Sequence, residues 1–178
     1  MPEESPVRIE EFKGLRIAYI RDRGQSFDVP PPLTRRLRMA SAAQGFVERE
    51  GTAFLSIIRD NPQATESGQV RVDAAVSVNR DLQLAEAGEL ELGELNPGLH
   101  AVYRHVGSYK GLRDAWARMA SLPIEGVKLR GPCAVGPRNS GDLGPEAAPS
   151  FEIYLNDPAS TPEEELVTEL YQPVELLR

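Results

Sequence analysis

The sequence predicts an α+β fold made of two copies of a strand-helix-strand-strand module. Three internal matches carry this reading. "GLRIAY" from Gly14 and "GLHAVY" from Gly98 share Gly, Leu and Tyr at the same offsets, and each leads to a Ser-aromatic pair, Ser26-Phe27 and Ser108-Tyr109. "IIRDNP", ending at Pro62, aligns with "IYLNDP", ending at Pro158; both read as strands running into an Asn/Asp-Pro turn. "VRVDAAVSV" from Val70 aligns with "LVTELYQPV" from Leu166, which sets Asp73 against Glu169.

The elements follow in order. Pro30, Pro31 and Pro32 suit a rigid entry to a helix from about Leu33 to Arg49, with Gly51 as its stop. "NRDLQLAEAGELELGELNPG" joins the halves as an acidic, solvated linker, with a strand near Leu90 to Leu95. In the second half Ser108 can cap a helix whose apolar stripe is Tyr109, Leu112, Trp116 and Met119, and both helices are expected to pack on a sheet. Gly131 to Ser150 holds too many Gly and Pro for regular structure and reads as a long exposed loop. In "SFEIYLNDP", Phe151, Ile153 and Leu155 alternate with Glu152, Tyr154 and Asn156. The apolar set should pack on the helix, leaving Glu152 and Tyr154 on the opposite, open face.

Composition bounds what such a fold can do. With 178 residues, 40% of them hydrophobic, the chain is read as one domain spanning 1–178, its repeat halves at about 6–80 and 90–178. No run of about 18 apolar residues occurs, and "MPEESPVRIEEF" lacks the marks of a signal peptide, so a cytoplasmic protein with no membrane partner is expected. The net charge of −7 disfavours direct nucleic-acid binding by this chain alone. Arg35, Arg36 and Arg38 read as a solvated helix face. The single cysteine, Cys133, reads as structural or incidental. His100 and His105 fall on opposite faces of one strand, which argues against a metal site; no metal or cofactor is expected.

The tandem repeat, "AVYRHVGSY" leading into a helix with "DAW", then "SFEIYLNDP" and the closing "LVTELYQPVE", together resemble the GyrI-like or AraC-type effector-binding domain family. The resemblance spans essentially the whole chain and is firmest from Gly98 onward; "DRGQSF" and Ser108 depart from the family's Gly-Pro-aromatic turn. It implies two modules related by an approximate two-fold axis, forming a curved antiparallel sheet with helices on its outer side and a ligand cleft between the halves. In drug-binding members a cleft glutamate meets cationic aromatic ligands inside an aromatic cage, and the "FEIY" motif puts Glu152 at that position.

The residues support this on their own terms. A carboxylate beside aromatic rings suits a delocalised cation, since the ring supplies area and cation–π attraction and the acid supplies charge. The candidate ligand-binding set is Glu152, Tyr154, Tyr171, Trp116, Tyr109 and Glu169. Glu152 aligns with Ser56 in the first half, so the repeat does not impose the acid. Asp73 and Glu169 read equally as sheet acids paired with arginines. Trp116 reads first as core, with an indole long enough to reach a cleft edge, and Tyr19 and Tyr103 as equivalent packing residues. The expected function is binding of a hydrophobic small molecule, with a cationic aromatic as one form of it, as in multidrug-binding effector domains of transcription regulators. Two alternatives stay open. One is hydrolysis of electrophilic, cyclopropane-bearing genotoxins, with Glu152 catalytic; the other is a gyrase-inhibitor-like role with a protein partner.

Overall fold

A computed structural model describes residues 6–23, 31–60, 71–85, 88–131 and 148–178. Cys133, the Ser26-Phe27 pair, the Asn61-Pro62 turn and most of the Gly131 to Ser150 segment lie outside them. The first half runs β1 (Val7–Phe12), β2 (Leu15–Arg23), α1 (Pro31–Ala43), β3 (Phe54–Ile58) and β4 (Arg71–Ser77). Then come β5 (Glu91–Leu95), β6 (Gly98–Val106), α2 (Leu112–Ser121), β7 (Val127–Leu129), β8 (Ser150–Tyr154) and β9 (Val167–Leu176). The fold is thus α+β and mostly antiparallel, as the alternating patterns predict.

The sheet order is β1-β6-β9-β8-β3-β4-β2-β5, with β7 added against β9. This order is symmetric about the β8–β3 pair, which is the seam between the modules. Each module exchanges its edge strand: β1 pairs with β6 of the second module, and β5 pairs with β2 of the first. Only Lys13-Gly14 separates β1 from β2, and only Asn96-Pro97 separates β5 from β6. Two linking residues span about 10 Å. In a flat sheet, six strand spacings of about 4.8 Å would hold β1 and β2 roughly 29 Å apart. The sheet therefore curls until its ends meet.

The curl gives the sheet a concave face with its own core. Ile17, Leu55, Ile57, Ala75, Val102, Phe151 and Tyr171 are buried there, and no residue of α1 or α2 belongs to that cluster. Phe12, His100, Phe151 and Tyr171 form an aromatic group, Phe151 stacking on Tyr171 at 4.8 Å and 8°. Both helices lie on the convex face: α1 packs over Ala18, Ile20, Ala74 and Val76, and α2 over Val7, Ala101 and Leu170.

Helix α1 is shorter than the expected Leu33 to Arg49. The stop is Gly45 (φ 78), whose N–H bonds to Ala42 while that of Phe46 reaches back to Ser41, a Schellman closure that needs the left-handed residue at Gly45 and leaves Gly51 in a later turn. In the second half Ser108 caps a short 3-10 turn, Tyr109–Gly111, so Tyr109 precedes α2 instead of belonging to it. The stripe of α2 is Leu112, Ala115, Trp116 and Met119, and all four are buried.

The seam and its buried carboxylate as candidate functional site

Strands β3 and β8 pair antiparallel, with Phe54 opposite Tyr154, Ser56 opposite Glu152 and Ile58 opposite Ser150. Ser56 is also the residue that aligns with Glu152 in the repeat. A residue can pair with its own counterpart only at the symmetry axis, so the pseudo-two-fold passes between Ser56 and Glu152. The axis carries one acid and one hydroxyl.

The direction of Glu152 corrects the expectation from the strand pattern. Phe151 and Ile153 face the concave core, and Glu152 and Tyr154 face the helices. The physical reason is the curl: both faces of β8 are covered, and the concave interior takes the large apolar side chains. Glu152 is 1% exposed. Its Oε1 accepts the indole N–H of Trp116 at 2.7 Å, and its Oε2 accepts the phenol O–H of Tyr154 at 2.8 Å. Burial, then the nearby Glu152 charge, pushes the Tyr154 phenol well above its ordinary range, so it remains a donor. Tyr109 stands 5.3 Å from the Tyr154 ring, and its own phenol is raised by burial and by Asp157 and Glu152.

Structure therefore brings together Glu152, Tyr154, Trp116 and Tyr109. It separates Glu169 and Tyr171 from them. Tyr171 pairs with Phe151, and neighbouring positions on β8 point to opposite faces, so Tyr171 lies on the concave side from Glu152. The Tyr171 hydroxyl donates to Glu169 at 3.1 Å, and burial with the Glu169 charge raises its ionisation. Glu169 is clamped by Arg8 (2.8 Å) and Arg104 (3.0 Å); burial works to raise its ionisation, but the bonds from Arg104 and Arg8 outweigh it and hold the carboxyl low. In the first module Asp73, with no exposed side-chain surface, is held the same way by Arg21 (2.8 Å) and Arg59 (2.5 Å). Glu169 and Asp73 are thus ion-pair centres that tie strands together.

Sequence reasoning missed three groups at the seam. Ser56 and Thr168 are fully buried on the convex face beside Glu152 and Tyr154, and neither hydroxyl has a hydrogen-bond partner among the described residues. The Ser56 hydroxyl neighbours the Tyr154 phenol and works against the rise in its ionisation, without reaching bonding geometry. Burying a hydroxyl without a bond costs about 1–3 kcal/mol. The third is Arg38, half-buried over the Phe54 ring at 4.6 Å, paired with Glu48 at 3.2 Å and with Asp157 at 3.7 Å. Ser56 was findable from the repeat alignment, but Thr168 and Arg38 needed the strand register and the helix position. Among the described residues no His/Cys/Asp/Glu group could hold a metal ion, and no helix is long and apolar enough to cross a membrane.

The sequence profile of the GyrI-like small molecule binding domain matches residues 5–135, ending before β8. No curated protein matches the chain by sequence. The fold is similar to that of the EcmrR C-terminal domain, with a TM-score of 0.67 at 16% identity over 96% of this chain and 98% of that one. The chain spans 57% of EcmrR as seen in its DNA complex. It is also similar to SAV2435 bound to tetraphenylphosphonium, with a TM-score of 0.61, 13% identity and coverage of 95% and 93%. A third neighbour, a hydrolase from Listeria innocua, gives 0.54, 13%, 95% and 91%.

Proposed function

Because the chain belongs to the GyrI-like small molecule binding domain family, we propose that it binds a hydrophobic, cationic aromatic molecule at the seam, with Glu152 as the polar anchor. The observation that carries this reading is a carboxylate, 1% exposed, set on the pseudo-two-fold axis and touched by Trp116 and Tyr154, with Tyr109 beyond. Both aromatic donors are neutral groups that orient the carboxylate. A cation brought against it gains attraction in a desolvated setting, and the rings supply contact area. The tetraphenylphosphonium held by SAV2435 is such a cation, which supports the class of ligand. A net charge of −7 favours cations over anions at long range, and it leaves duplex DNA outside the proposed partners of this chain.

A thermal-shift screen of cationic dyes, neutral aromatics and electrophilic natural products tests the reading, followed by titration of hits against Glu152→Gln. The variant keeps the size of the side chain and removes its charge. Cationic hits should weaken by about 1–3 kcal/mol, or roughly five- to a hundredfold, and neutral aromatic hits much less. Equal loss for neutral and cationic hits would put the charge outside the binding energy. Mass analysis of each hit after incubation separates binding from turnover, because a product that gains one water, lost in Glu152→Gln, assigns hydrolysis to the same site.

A further inference from the structure

One cation already sits at the seam. Arg38 comes from α1, and its guanidinium carbon lies 4.6 Å from the centre of the Phe54 ring. Phe54 pairs directly with Tyr154 across β3 and β8, and directly paired side chains on one sheet face have Cβ atoms roughly 4.5–5.5 Å apart. The ring under Arg38 is therefore the first-module neighbour of the ring whose hydroxyl bonds to Glu152. From there the guanidinium reaches toward the second module, with Nη2 3.7 Å from Asp157 in the segment after β8. Tyr109 shares this neighbourhood: burial, Asp157 and Glu152 raise its ionisation, and Arg38 lowers it.

Arg38 is held unlike the arginines of the concave face. Arg21 and Arg59 donate hydrogen bonds to Asp73, and Arg8 and Arg104 donate to Glu169. The Nε of Arg38 is buried without a hydrogen bond although Glu48 is 3.2 Å away, and Asp157 lies beyond hydrogen-bonding distance. Attraction to a ring face and to nearby acids, with no directed bond, can be supplied equally by another delocalised cation. Leaving the ring would also return the unpaired Nε–H to water. We infer that Arg38 is the resident cation of the seam, a built-in competitor that a cationic aromatic ligand displaces from Phe54. Small hydrated cations cannot cover the ring and leave Arg38 in place, so the side chain sets a threshold that favours large aryl cations. This rests on the proposed function of the seam and adds a specificity-determining residue on its α1 side.

Calorimetric titration of the full chain with tetraphenylphosphonium, and with triphenylphosphine oxide as an uncharged relative, tests this in the wild type, Arg38→Gln and Arg36→Gln. Arg36 lies on the same helix and pairs with Glu89 at 2.6 Å, so its replacement removes the same charge from α1 at another contact. Tetraphenylphosphonium should bind Arg38→Gln at least about threefold more tightly than wild type and Arg36→Gln within about twofold of it. The phosphine oxide should gain less than the cation in Arg38→Gln. In the wild-type chain, the nitrogen-15 and proton signal of the Arg38 Nε–H, assigned through bonds, should move as tetraphenylphosphonium saturates; this readout guards against a variant that fails to fold. Phosphonium that weakens in Glu152→Gln yet binds Arg38→Gln no more tightly than wild type overturns the inference and leaves the parent reading intact. An equal gain in Arg36→Gln assigns the effect to net charge and overturns it too, as does an Nε–H signal that stays in place at saturation. Failure of tetraphenylphosphonium to bind either wild type or Arg38→Gln overturns the parent reading, and this inference with it.

Discussion

At the scale of single residues, the informative side chain is Trp116. It is the only tryptophan of the chain, and its indole N–H is spent on Glu152 inside the core of α2. Sequence periodicity alone placed it on the apolar stripe and could not show that its polar edge meets the acid, because that contact depends on how α2 lies across β8. Trp116→Phe keeps most of the ring and deletes the donor. The variant should lose about 1–3 kcal/mol in urea unfolding, the cost of leaving a buried acceptor short of a partner. In a double-mutant cycle with Glu152→Gln the losses should couple by about 1 kcal/mol or more. Strict additivity would mean that the 2.7 Å contact contributes nothing.

At the scale of elements, the crossing of the two short linkers governs the curl. Gly14 has φ 88, and a Cβ there would sit 3.1 Å from the Leu95 carbonyl oxygen and 3.2 Å from Pro97 Cδ, so the β1–β2 and β5–β6 linkers touch. Gly51 has φ 86 with nothing within 4 Å of such a Cβ. Gly51→Ala should therefore cost only the left-handed penalty of about 1–2 kcal/mol, and Gly14→Ala measurably more in thermal or urea unfolding. Equal costs would show that the linkers have room to part. This crossing also explains what the sequence could and could not tell. Alternation in "SFEIY" identified β8 and paired Glu152 with Tyr154 on one face, but period two does not say which face a helix covers when a curled sheet buries both. Matching Gly14 to Gly98 located the repeat, yet made Tyr19 equivalent to Tyr103. The pairing differs by one residue: Tyr19 lies opposite Ala75, and Val102 lies opposite Tyr171, the counterpart of Ala75. Tyr19 accordingly faces the concave core and Tyr103 the cluster beneath α2.

At the scale of the whole molecule, the modules share too much to stand apart. The sheet is continuous across the β3–β8 seam, where Leu55 and Phe151 belong to one concave core. Strand exchange deepens the dependence. β1 lies in the N-terminal half of the chain, yet its Val7 is part of the core under α2, and its Arg8 bonds to Glu169 on β9. A fragment cut near residues 80–90 would leave the second module without its edge strand and both modules with an open concave face. We therefore propose that residues 1–178 unfold as one cooperative unit. Circular dichroism and tryptophan fluorescence should give coincident urea transitions, because Trp116 reports the second module while the far-ultraviolet signal reports both. Fragments 6–80 and 90–178 should each be unfolded alone. Two separated transitions, or a folded 90–178 fragment, would show that the seam and the exchanged strands add little, and the site on the axis would then belong to one module.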